Sequence, residues 1–192
     1  MNIIIFGPPG AGKGTQSNFI VKKFKLHQLS TGELLRKEIS NNTKLGKEIS
    51  SIINSGNLVS DNIVSDLIEK YISNKIFKSR LIFDGYPRNL NQTTNLNDLL
   101  NKYDQKIDLV LKLSVSLETI KKRIHERKNQ EKRADDSAEV AIKRFETYEK
   151  NIVPVINFYK QTNLLKVVNG ETSISEISHE ISDLIEAIKG WL

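Results

Sequence analysis

Cysteine is missing from all 192 residues. That excludes disulfides, a thiolate nucleophile and any cysteine-ligated zinc site. No apolar run approaches the ~20 residues needed to cross a bilayer. The first residues, MNIIIFGPPG, carry no basic segment and only a brief apolar stretch, which argues against a signal peptide. These absences predict a cytoplasmic protein without a membrane partner. Histidine is scarce too: His27, His125 and His179 share no ligand spacing and read as structural or exposed. A dense basic block is also lacking. The net charge of +6 is spread over lysines in ones and twos, such as Lys22, Lys23, Lys121 and Lys122, with no aromatics between them. That pattern predicts a solvated surface and no nucleic-acid partner.

What is present is a chain long enough for one well-cored domain with small insertions. Ile3-Ile4-Ile5-Phe6 is a short continuous apolar run, as expected of a strand buried on both faces. GPPGAGKGT follows at 7–15, then a helical pattern from Lys13 to Phe24 with Phe19, Ile20 and Phe24 facing inward. Further buried strands are expected at Leu81-Ile82-Phe83, Leu109 to Leu113 and Leu165 to Val168, with helices between them. Alternating β and α predicts a parallel sheet covered on both sides.

Two stretches break the alternation. Residues 30–59 read as two short helices, STGELLRKEIS and KLGKEISSIIN, before a third opens at Ser60 or Asp61 and runs to about residue 73. Residues 127–136, RKNQEKRADD, are wholly polar. Asp136 to Glu139 fits a capping box that opens a helix bearing Val140, Ile142, Phe145 and Tyr148; Pro154 is expected to kink or restart it. A second capping box, Ser173 to Glu176, opens the last helix.

Gly7, Gly12 and Lys13 satisfy GxxxxGK, with Gly14-Thr15 where Ser or Thr usually follows the lysine directly. Such a loop turns successive N–H groups toward a phosphate at a helix N-terminus, within reach of the lysine. Asn101-Lys102-Tyr103-Asp104 matches the guanine-reading NKxD of GTPases. It sits at a helix end instead of after a strand, however, and no DxxG occurs in the chain. A GTPase is therefore set aside. Arginine is used sparingly: only Arg36, Arg80, Arg88, Arg123, Arg127, Arg133 and Arg144. Its planar fork grips phosphate in a way lysine cannot match.

STGELLR at 30–36, FDGYPRNLNQ at 83–92 and the RIHER and KRADD…KRF segments complete a set of spaced motifs. With these the chain resembles the adenylate kinases from Met1 to about Gly170. The resemblance implies a three-layer α/β P-loop fold with a five-stranded parallel sheet. It implies a core of 1–29, 60–125 and 137–192, a helical nucleoside-monophosphate-binding insertion at 30–59 and a short lid at 126–136. Long-lid members carry some thirty more residues there with a zinc site or polar network; zinc is excluded here.

By the same resemblance, Gly10, Ala11, Gly12, Lys13, Gly14 and Thr15 hold the ATP phosphates, Arg127 packs over the ATP adenine, and Thr172 lies in a loop that meets that adenine. Thr31 sits by the AMP base, Arg36 and Arg88 hold its phosphate, and Asn57, Leu58, Val59, Gly85, Tyr86, Pro87 and Gln92 surround the base. Lys13, Arg88, Arg123, Arg133 and Arg144 line the phosphates in transfer, Arg133 and Arg144 also touching AMP. Asp84 orients the water shell of the Mg2+ that accompanies ATP, with no direct metal ligand. Arg80 is left for the surface. The activity implied is ATP + AMP = 2 ADP by a monomer. A UMP/CMP kinase is the nearest rival, since PRNLNQ shares an asparagine with its PRNxDN pattern; an inactive P-loop binding protein is the other.

Overall fold

A computed structural model describes residues 1–131 and 138–189, the side chains of 127–131, 138 and 189 apart. The elements run β1 (Ile3–Phe6), α1 (Lys13–Phe24), β2 (His27–Ser30), α2 (Thr31–Ser40), α3 (Lys44–Asn54), α4 (Asp61–Ile72), β3 (Leu81–Asp84), α5 (Leu90–Lys102), β4 (Leu109–Ser114), α6 (Leu117–Glu131), α7 (Ala138–Gln161), β5 (Leu165–Asn169) and α8 (Ile174–Lys189). The sheet is five-stranded with order β2-β3-β1-β4-β5. All four pairings are parallel, so every strand leaves the sheet at the same edge.

Strand periodicity of two divides the apolar runs between the faces. Ile3 and Ile5 pack with Ile82, Leu109, Leu111 and Leu113 against Ile20 of α1 and Ile177, Ile181 and Ile185 of α8. Ile4 and Phe6 join Leu29, Phe83 and Val110 against α2 to α5 and α7 on the other face. This is the two-sided cover that a continuous apolar strand requires. Phe19 and Phe24 pack against this core as expected, partly buried beside Ile20.

β2 is the strand that apolar pattern did not locate. HQLS offers one aliphatic residue, and its partners define it: His27 pairs with Leu81 and Ser30 with Asp84. Two other expectations change. α6 continues to Glu131, so the polar run from residue 127 is helical at its start. α7 continues through Pro154 and does not restart there. Ile142 of that helix is 40% exposed. Asp136 and Ser137 of the first proposed capping box lie outside the described residues. The second box is formed: Ser173 N–H donates to Glu176 Oε2 at 2.9 Å and Glu176 N–H to Ser173 Oγ at 3.3 Å.

NKYD closes α5, as its polar neighbourhood predicted. Lys102 pairs with Glu69 at 2.8 Å and Asp104 with Lys78 at 3.2 Å. Arg80 is exposed, its guanidinium capping the Lys25 carbonyl at 2.6 Å. His27 packs edge-on to Phe77.

The helical pair α2–α3 follows β2 directly and packs Leu35 and Ile49 into the core. It is joined by Thr43, whose hydroxyl donates to Glu38 Oε2 at 2.6 Å and accepts from Gly46 N–H at 2.9 Å. The two helices approach so closely that a Cβ at Gly46 would lie 2.1 Å from the Glu38 carbonyl oxygen. Backbone on both sides leaves no flexible group to yield. Gly46→Ala is therefore expected to destabilise the fold by about 2 kcal/mol, lowering the thermal midpoint by roughly 4–8 °C. An unchanged midpoint in calorimetry would refute this close-approach argument.

Candidate active site

The loop between β1 and α1 turns at Gly12, the N-cap of α1, whose φ of 92° lies in the left-handed region open to glycine. α1 begins at Lys13, so its unsatisfied N–H groups face the loop. Lys13 Nζ donates to the carbonyls of Gly7 at 2.7 Å and Pro8 at 3.1 Å, folded back over the loop. Ala11 is buried, while Gly14 and Thr15 form the first helical turn.

Arg123 of α6 reaches the same loop. One guanidinium nitrogen donates to the Ala11 carbonyl at 3.4 Å and the other to the Gly170 carbonyl at 2.8 Å. The loop after β5 is thereby tied to the phosphate loop. Glu171 adds a second tie, accepting from the Ser116 N–H and from Thr119 Oγ1 at the start of α6. Those bonds hold its carboxyl below the usual range. Thr172 donates to the Asn169 carbonyl at 3.4 Å in that loop, outside the central cavity.

That cavity holds roughly 1100 Å3 of free space, part of it open to solvent, and is the meeting point of the predicted residues. Gly7, Pro9 and Lys13 of the phosphate loop line it. So do Thr31, Arg36, Asn57, Leu58, Val59, Gly85, Pro87, Arg88, Gln92 and Arg144. Gly10 and Gly12 of the same loop are not among its lining residues. Tyr86 stands apart: it is fully buried beneath the wall, its hydroxyl accepting from Asn95 at 3.1 Å. The side chain of Arg127 and the whole of Arg133 lie outside the described residues.

At the floor of this space, Gly85 offers its carbonyl to two donors, Thr31 Oγ1 at 3.0 Å and Arg88 Nε at 2.7 Å. Both lone pairs are engaged, which fixes Thr31 and the Arg88 fork together. Asp84, one residue earlier, pairs in register with Ile5 and Ser30 and is 7% exposed. Its Oδ2 accepts from Gln28 at 2.9 Å. Among the described residues no group of three or more acidic or histidine side chains is placed to hold a metal. A single buried carboxylate beside the phosphate loop fits a cation carried in by a nucleotide and kept largely hydrated.

Electrostatics mark the site most clearly. Burial pulls the Arg88 guanidinium down to about 10, Arg144 and Arg36 press the same way, and Asp84 opposes them. Three cations converge on one cavity, an arrangement that favours an anion there. Because the folded value lies below the unfolded one, the cost is fully present at neutral pH and is relieved only as pH rises past about 10. Its scale is on the order of 3 kcal/mol.

The structure also adds residues that motif reading passed over. Asp61, read as a helix cap, accepts from Gln92 Nε2 at 2.6 Å and from Asn89. Ser60 is the N-cap of α4, with no side-chain cap bond. Tyr148 and Asn151 line the cavity from α7, four and seven residues beyond Arg144 and so on the same face. The Tyr148 hydroxyl is buried with no hydrogen-bond partner among the described residues, and burial pushes its pKa up. Helical spacing from Arg144 was the available signal for both.

Arg88→Met removes the buried charge and keeps most of the volume. We expect the thermal midpoint of the ligand-free protein to rise by about 2 °C or more. A lower midpoint would show that the Arg88–Gly85 bond outweighs the repulsion.

A family model described as adenylate kinase matches residues 5–164. An adenylate kinase of Pelagibacter ubique is 40% identical over 97% of this chain and 100% of its own. One from Maricaulis maris is 40% identical over 97% and 99% respectively, and one from Porphyromonas gingivalis is 36% identical over 98% and 97%.

Proposed function

The chain belongs to the adenylate kinase family, and from that premise we propose that it transfers the γ-phosphoryl group of MgATP reversibly to AMP, giving two ADP. The observation that carries this reading is the shared cavity. Lys13 and the glycine loop line it together with Arg36, Arg88 and Arg144, so that two phosphate groups would share one cationic space.

Phosphoryl transfer through a loose transition state needs positioning and charge stabilisation more than covalent help. The AMP phosphate is already an anionic acceptor, so no protein nucleophile is needed. Lys13 exchanges the Gly7 and Pro8 carbonyls for the ATP phosphates. Arg123 and Arg133 neutralise charge on the moving group, while Arg36, Arg88 and Arg144 hold the acceptor phosphate in line. Arg127 covers the ATP adenine, and the loop at 170–172, anchored by Glu171, meets that base from the other side. Thr31, residues 57–59, Gly85, Pro87 and Gln92 enclose the AMP base, with Tyr86 supporting them from below. Mg2+ bound with ATP offsets the charge of its phosphate oxygens; Asp84 orients the water around it.

Residues 30–59 act as the monophosphate-binding unit, 126–136 as a short lid, and the remainder as the core. Closing both units excludes water, the competing acceptor. The adenylate kinase lid is itself a standard example of such closure. No helix among the described residues is long and apolar enough to cross a membrane. The enzyme acts as a cytoplasmic monomer in adenine nucleotide homeostasis, without nucleic-acid or membrane partners.

A coupled assay of ADP formation from ATP with AMP, UMP, CMP or GMP tests the proposal. AMP is expected to be the strongly preferred acceptor. Preference for a pyrimidine would overturn the choice of base, and transfer to none of the four would leave only a binding protein. Arg88→Ala and Arg123→Ala are each expected to lower turnover by ~10³-fold or more, the scale of a charge-stabilising arginine. A loss below about tenfold (~1.4 kcal/mol) would remove that residue from the transfer machinery.

A further inference from the structure

The side-chain amide of Gln92 has two ends alike in shape and opposite in chemistry. Its Oε1 accepts from the Arg88 N–H at 2.7 Å, and its Nε2 donates to Asp61 Oδ1 at 2.6 Å. An ionised carboxylate has no hydrogen to give, and a backbone N–H has no lone pair. Reversing the amide would set oxygen against oxygen and N–H against N–H, in a residue that is only 3% exposed. The carboxylate is held in turn. Asn89 Nδ2 donates to both Asp61 oxygens at 3.1 Å, while Asn89 Oδ1 accepts from the Gln92 N–H at 2.8 Å. Asp61 opens α4, and Asn89 caps α5. The clamp therefore joins the N-terminal ends of two helices beside the cavity.

We propose that Asp61 is a positioning residue for nucleobase choice: it fixes the polarity of the Gln92 amide, so that the site accepts a 6-aminopurine nucleotide and rejects a 6-oxopurine one. This rests on the proposed placement of the AMP base against Gln92. With one lone pair used by Arg88 and one hydrogen by Asp61, Gln92 keeps one acceptor and one donor position. Adenine presents an amino donor beside a ring-nitrogen acceptor. Hypoxanthine presents a carbonyl acceptor beside a ring N–H, the reverse order. A fixed amide complements the first and opposes the second at both contacts. Anchoring the nucleotide phosphate among Arg36, Arg88 and Arg144 removes the alternative of turning the base over. An amide or hydroxyl at position 61 can donate as well as accept, so reversing Gln92 would then oppose only the Arg88 N–H, one mispaired contact instead of two.

The test is steady-state kinetics at saturating MgATP with AMP and with IMP, for the wild type and for Asp61→Asn, Asp61→Ser and Asp61→Glu. In the Asn and Ser variants, kcat/KM for IMP relative to AMP is expected to rise by about tenfold or more, the worth of one mispaired buried hydrogen bond. The change is expected in KM, with kcat on AMP kept within roughly threefold. Asp61→Glu, which still only accepts, is expected to keep the wild-type ratio. The Ser variant carries the test should the Asn variant not fold. A ratio unmoved in a folded Asn or Ser variant overturns the proposal, as does an equal loss on both nucleotides or a Glu variant that relaxes like Asn. A wild type inactive on AMP would instead overturn the proposed activity itself.

Discussion

β1 is hydrogen-bonded in parallel to β3 on one side and β4 on the other, and the rest of the molecule is arranged around that constraint. Parallel strands end at a common edge, so the segments leaving them must emerge side by side. The phosphate loop emerges from β1, Asp84-Gly85 from β3, and Thr31 from the turn after β2. Residues more than fifty positions apart, such as Thr31 and Gly85, thereby come within hydrogen-bond reach. Apolar alternation along β1 enforces the geometry, because Ile3 and Ile5 belong to one core and Ile4 and Phe6 to the other. A slip of one residue would exchange those faces.

On this frame the protein gathers charge that opposes its own folding. Arg36, Arg88 and Arg144 come from α2, the β3–α5 connection and α7, and they meet in one cavity. Burial and mutual repulsion weigh against the charged Arg88, while Asp84 and the Gly85 carbonyl offset part of that cost. A phosphate held there, as proposed, would offset that repulsion at Arg88, a common relation between stability and function.

Much of the site was legible because its chemistry depends on residue type at fixed spacing. GxxxxGK requires its glycines and lysine in order, and sparse arginines stand out where lysine is the default cation. The helices at 31–40, 44–54 and 61–72 followed from caps and apolar periodicity. β2 did not, because HQLS has no pattern of its own and is a strand only through β3. Asp61 hid for a related reason: an acidic residue in a first helical turn is ordinary until Gln92 and Asn89 arrive from another helix. Pro154 does not restart α7. A proline removes one helical hydrogen bond, but Val155, Ile156 and Tyr159 beyond it are buried in the core and hold α7 together.

By itself, then, the sequence determined the local chemistry: a phosphate loop at the head of α1, two interruptions in an alternating β/α pattern, and which side chains are able to grip anions. Those properties reside in short stretches of chain. Only the tertiary structure decided where Lys13 and Arg123 rest, that both lone pairs of Gly85 are occupied, that Tyr86 lies behind the cavity wall, and which way Gln92 faces. Each of these depends on a hydrogen-bond partner or a packed neighbour supplied by another element, and so becomes defined only once parallel pairing has brought the strand ends together.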